Sequence, residues 1–192
     1  MAPVILTASL SAQGVFSNKT QAILEKVIQD YPNHFYHLRG ELIDQAVQSA
    51  RYRSTIQLPG SASSTVFVST AAHAEESGWT CTIQESTDFE AAKEHFRQIY
   101  GQLSNSIISS GDQKTFILSG QYEAPADGRK FTRIVFSLLP GVGGMKRLKV
   151  NLCLLQDSGG TWRIELIVTD REPKDEGRVA IAASRDCPVM GF

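Results

Sequence analysis

The sequence has few of the residues that announce chemistry. Its three cysteines, Cys81, Cys153 and Cys187, are odd in number and widely spaced, which excludes both a disulfide framework and a zinc-finger pattern. No apolar run reaches the length of a membrane-spanning helix. Neither sign of charge prevails: the formal net charge of −1 excludes a general polyanion binder and argues against a nucleic-acid partner. No Gly-x-Ser-x-Gly elbow, His-Glu-x-x-His helix or Ser-x-x-Lys motif occurs. No pair of carboxylates has a spacing that argues for joint acid–base work. The glycine-rich stretch Gly141-Val-Gly-Gly-Met-Lys-Arg147 lacks the Ser or Thr that succeeds the lysine of a phosphate loop. It also joins two strand patterns rather than a strand to a helix. It reads as a long hairpin turn, and no cofactor is expected.

What is present is a globular composition. A chain of 192 residues, 42% apolar and 20% charged, makes one large domain or two small ones. Residues 1–96 carry six Lys/Arg against ten Asp/Glu and residues 97–192 carry thirteen against ten, a difference that unequal solvated faces explain. Residues 1–17 stand apart. Val4-Ile-Leu-Thr-Ala-Ser-Leu-Ser-Ala-Gln13 reads like the end of a secretory signal, although the basic start is missing and the apolar run is short. The expectation is a truncated signal or disordered N-terminus and a secreted or periplasmic protein, with a cytoplasmic one as the alternative. Residues 18–172 form the expected domain. Residues 173–192 read as a tail, in which Val179–Ala183 is apolar enough for an edge strand.

Hydrophobic periodicity gives the elements. Ile23, Leu24, Val27, Ile28 and Tyr31 repeat at helical spacing, which predicts a helix over Asn18–Tyr31, capped by Ser17 or Asn18 and stopped by Pro32-Asn33. His34–Ile43 reads as one extended piece, and Asp44–Ala50 as a helical turn or loop. Strand patterns come next at Arg51–Leu58, Thr65–Thr70 and Gly78–Glu85, the last with Trp79, Cys81 and Ile83 on one face. Thr87-Asp-Phe-Glu90 has the form of a capping box. Behind it Phe89, Ala92, Phe96, Ile99, Tyr100, Leu103 and Ile107 make one helical stripe, with Glu90, Lys93, Glu94 and Arg97 on the wet side. Four more strands carry Phe116 and Leu118, Phe131–Leu139, Leu148 to Leu154, and Trp162 to Val168. Gly- and Asp-containing turns at Ala126–Gly128, Pro140–Gly144 and Asp157–Gly160 join the four as hairpins. The fold class is therefore α+β, an antiparallel sheet with two main helices packed on it. Helix-then-strands occurs twice, over 18–85 and 88–172. Ser54-Thr-Ile-Gln-Leu-Pro59 before Thr65-Val-Phe67 echoes Ser119–Pro125 before Ile134-Val-Phe136, and Trp79 echoes Trp162. A tandem duplication explains this; one domain with a repetitive grammar is the alternative.

Candidate sites are sparse. His34 and His37 are three residues apart, but their segment reads as extended and no third ligand is placed, so no metal site is expected. His73 with Glu75 and Glu76 reads as a polar connector. Cys81, beside Trp79 and Ile83, reads as a small core hydrophobe. Lys146, Arg147 and Lys149 form the one compact basic patch. A further surface feature is the sheet face turned away from Trp162 and Leu148. Alternation places Ile117, Cys153, Leu155 and Ile167 there, with Gln121, Lys149, Arg163 and Glu165. That is more apolar than a solvated face, so another element covers it or a partner meets it.

Three stretches carry a resemblance. A strand ending Leu58-Pro59-Gly60 comes first. Next is the helix Phe89-x-x-Ala92-x-x-x-Phe96-x-x-Ile99-Tyr100-x-Gln102-Leu103. Strands ending Trp162-x-x-x-Leu166-x-Val168-x-Asp170 complete the pattern. The whole resembles small secreted, uncharacterised α+β proteins of Gram-negative bacteria, and it implies a fold and an envelope setting, with no activity. The sequence thus leads to a non-enzymatic binding or interaction protein whose partner is a protein or a small apolar ligand. The alternatives are a small apolar-ligand binder with a helix–sheet cleft, and a hydrolase with dispersed catalytic residues.

Overall fold

A computed structural model describes residues 15–69, 76–104, 106–110, 114–126 and 128–170. The expectations for the signal-like N-terminus, for His73 and Glu75, and for the tail from residue 173 lie outside these residues. The order is α1 (Val15–Asp30), β1 (Arg39–Ala46), β2 (Ser49–Ser54), β3 (Ser63–Ser69), β4 (Glu76–Ser86), α2 (Phe89–Leu103), β5 (Ile107–Ser109), β6 (Thr115–Ser119), β7 (Phe131–Leu139), β8 (Lys149–Gln156) and β9 (Trp162–Thr169). All nine strands form one antiparallel sheet in the order β1-β2-β3-β4-β9-β8-β7-β6-β5. The last strand of each half, β4 and β9, meet at its centre.

Period-two burial explains the sheet. In β7 Thr132, Ile134, Phe136 and Leu138 are buried, and in β9 Trp162, Ile164, Leu166 and Val168. These join Trp79, Cys81, Val150, Leu152 and Leu154 on one face. The stripe of α2, namely Ala92, Phe96, Ile99 and Leu103, packs on β4, β8 and β9 and completes that core. Phe89 lies against Trp162 with ring centroids 4.8 Å apart. Helix α1 adds Leu24, Val27 and Ile28 and runs beside β5. Its polar side also does the work of a further strand. Gln21 and Gln29 donate to the carbonyls of Ile107 (2.6 Å) and Ser109 (2.8 Å), while the Glu25 carboxylate accepts the Ser109 amide (3.2 Å). Side chains four residues apart on a helix thus satisfy an edge strand that would otherwise present open backbone groups.

Several expectations are corrected. Helix α1 starts at Val15, so Ser17 and Asn18 lie inside it. His34–Ile43 is not one extended piece: Tyr36–Leu38 is a 3-10 turn and β1 begins only at Arg39. Asp44–Ala50 is the end of β1, the hairpin turn and the start of β2, and β2 ends at Ser54 rather than Leu58. The cap of α2 is Asp88, whose Oδ1 accepts the amides of Glu90 (2.9 Å) and Ala91 (3.2 Å); Thr87 does not form the expected capping box. A carboxylate next to the helix start also answers the positive end of the helix dipole, which a hydroxyl does not. Finally, α2 stops at Leu103, and Ile107, assigned to its stripe, is an exposed residue of β5.

Candidate functional site

The site begins with the way α1 stops. Pro32 lacks the amide that another helical turn needs, so the chain passes into a single 3-10 turn, Tyr31–Asn33. His34 and Phe35 then adopt left-handed backbone angles, φ 52° and 55°, which side chains of this size rarely take. Two features hold them. Phe35 is fully buried. The nearly buried Asp30 carboxylate is bonded by Asn33 Nδ2 (3.1 Å), the His37 amide (3.1 Å) and His37 Nδ1 (2.6 Å). The facing wall is the β7–β8 connection. Its 3-10 turn, Gly143–Lys146, is fastened by the Leu148 amide donating to the Met145 carbonyl (3.2 Å), and Gly143 supplies the positive φ of 57° that starts it. Phe116 of β6 closes the floor, and the β5–β6 connection brings Ser110 and Lys114.

Between these elements lies an open groove of about 460 Å³, a volume typical of small-molecule sites. Tyr31, Pro32, Phe116, Val142 and Met145 make most of its wall apolar, and His34, Ser110 and Lys114 add polar groups. The Tyr31 hydroxyl donates to Asp170 Oδ2 at 3.3 Å. Burial pushes the Tyr31 pKa up, the Asp170 charge and hydrogen bond push it further, and Arg147 opposes them; Arg147 therefore stands within electrostatic reach of the groove. The hydroxyl stays protonated at neutral pH and can position a ligand but not attack one.

The expected partner surface is a different place. Lys149, Cys153, Leu155, Arg163 and Ile167 share the sheet face opposite the helices, in the register Asn151↔Ile167, Cys153↔Glu165 and Leu155↔Arg163. None of them belongs to the core cluster. Cys153 is only 3% exposed, overtopped by longer neighbours, and burial pushes its thiol up to about 12. Ile117 lies further along this face, where Ile107↔Ile117↔Leu139 form a cross-strand row, each about half exposed. Gln121 lies outside the strands, exposed, after β6. Asn151, also on this face, is 4% exposed and its Oδ1 has no hydrogen-bond partner. Glu165 is mostly buried between Cys153 and Thr82. Desolvation pushes its pKa up, and the Glu85 charge adds to this against the pull of Arg163.

The histidines separate: His34 faces the groove and His37 turns to Asp30. Asp30 and His37 have the carboxylate–imidazole geometry of a general base, but no Ser or Cys is bonded to His37 among the described residues. Nor do three His, Cys, Asp or Glu side chains converge as a metal-ligand set among them, and no described helix is long and apolar enough to cross a membrane. The groove itself escaped the sequence. The helix stop at Pro32 and the basic glycine-rich turn were both visible, but nothing in their spacing shows that they face each other across Phe116. No protein-family model, curated protein or solved structure matches the chain.

Proposed function

We propose that this is a non-enzymatic binding protein that takes a small, largely apolar ligand in the groove beyond α1. The observation that carries the reading is the groove itself. It is a concavity of about 460 Å³ with an apolar floor and few polar groups. The secreted or periplasmic setting belongs to the proposal and rests on residues 4–13 alone. So does the two-unit origin of the chain, supported by the meeting of β4 and β9, the last strands of the two halves. The test is binding of a neutral apolar dye. Val142 is 47% exposed on the groove wall, so Val142→Asp should remove binding and leave the unfolding free energy within about 0.5 kcal/mol of wild type. A dye that binds the variant as well as wild type, or binds neither, would sink this reading.

One observation favours a second reading, an association surface on the sheet face opposite the helices. The Ile107–Ile117–Leu139 row, each residue about half exposed, suits contact with another protein. Self-association is the simplest case. Sedimentation should then show concentration-dependent association that Ile117→Lys abolishes; a wild-type chain that stays monomeric would confine this reading to a different partner.

A further inference from the structure

We propose that the ligand of the groove is an anionic amphiphile, with its apolar body against Phe116 and Met145 and its charged head at the loop that carries Lys146 and Arg147. The inference rests on the groove being a ligand site and adds the charge of the ligand. The floor excludes a fully hydrated anion, because Phe116 is buried and offers no hydrogen bond. The rim excludes an indifferent hydrocarbon. Lys114 lines the groove, Lys146 comes directly after Met145 on its wall, and Arg147 acts on the Tyr31 hydroxyl. Among the described residues, the Asp170 carboxylate beside Tyr31 is engaged by the Tyr31 hydroxyl.

Among the described residues several other cations are paired, while Lys19, Lys26 and Lys130 stand singly and away from the groove lining. Arg53, Lys93, Arg97, Arg129 and Arg163 each lie beside a glutamate. Lys146 and Arg147 are exposed and pair with no carboxylate among the described residues. Exposed cations beside a desolvated floor are placed to receive a head group whose tail the floor accepts.

The experiment uses the full chain and three probes of equal tail length: decanoate, decanol and decyltrimethylammonium, all below micelle-forming concentration. Affinity is read by calorimetry. Location is read by the NMR signal of the Met145 methyl, assigned with Met145→Leu. The expected result is that decanoate moves the Met145 signal and binds about tenfold more tightly than decyltrimethylammonium, the factor of one charge-assisted hydrogen bond. The double variant Lys146→Glu, Arg147→Glu should remove or invert that preference, and Lys146→Gln, Arg147→Gln should reduce it. Equal affinity for all three probes, each still moving the Met145 signal, would overturn the anion inference and leave the groove standing. So would a decanoate preference unchanged in both double variants. No movement of the Met145 signal with any probe would overturn the groove reading itself.

Discussion

Burial decides the chemistry of single side chains on the sheet face opposite the helices and in the core beneath it. Cys81 is fully buried, and Cys153 is 3% exposed with its thiol pushed up to about 12. Only the thiolate reacts; burial holds the Cys153 thiol protonated near neutral pH, and no reagent reaches the fully buried Cys81 sulfur in the native fold. Iodoacetamide at pH 8 should therefore leave both unmodified in the native protein and label both in denaturant, as peptide mass spectrometry would show. Rapid native labelling of Cys153 would mean that the face opens. Glu165 gives a second check. Its pKa is raised on folding, so its stabilising contribution is full below the unfolded value and is lost as pH rises through the folded one. Glu165→Gln should then raise the thermal midpoint at pH 7.5, with the gain vanishing at pH 4. Arg163 keeps Glu85 at 2.9 Å in that variant and loses only the 3.7 Å contact with Glu165. A lowered midpoint at pH 7.5 would put the ion pair ahead of burial.

Among the elements, the helix ends depart most from local pattern. The pattern Thr87–Glu90 promised a capping box, yet Asp88 caps α2. The Ser86 hydroxyl accepts the Asp88 amide at 3.0 Å, which holds Asp88 extended and one residue closer to the helix. Asp88→Ala should cost about 1 kcal/mol, and Thr87→Ala should leave the denaturation midpoint unchanged; the reverse order would restore the capping box. Pro32 was a sound stop signal for α1, because a missing amide acts locally. The turn beyond it was not readable, since the left-handed His34 and Phe35 are held by Phe35 burial and by the Asp30 carboxylate. The three-residue β5 was hidden for a similar reason. It owes its place to β6 on one side and to Gln21, Glu25 and Gln29 on the other, some eighty residues away in the chain.

The molecule as a whole depends on the seam where α2 crosses β4, β9 and β8. Phe96 sits in that seam with no exposed surface, so Phe96→Ala should lower stability by roughly 3–5 kcal/mol in chemical denaturation. A loss below about 1 kcal/mol would mean that the seam relaxes around the cavity. The two sheet edges differ. α1 closes β5, whereas among the described residues no strand pairs with the outer side of β1, where Leu42 and Ile43 are about half exposed and irregular pairing with β2 breaks the regular ladder.

Periodicity settled whatever depends on one element alone. The α2 stripe, the alternation of β7 and β9, the turn chemistry and the antiparallel order of neighbouring strands all come from side chains two, three or four residues apart. The meeting of β4 with β9, the hydrogen-bonded edge of β5, the burial of Cys153 and the groove itself could not arise in that way. Each joins residues far apart in the chain, and local pattern carries no information on which distant segments will share a boundary. Tyr31, Phe116 and Met145 come together only because α1 and the β7–β8 connection must both pack at the β5–β6 end of one sheet. That packing is fixed by the burial of the whole core, and it makes a cleft from residues that gave no separate sign of one.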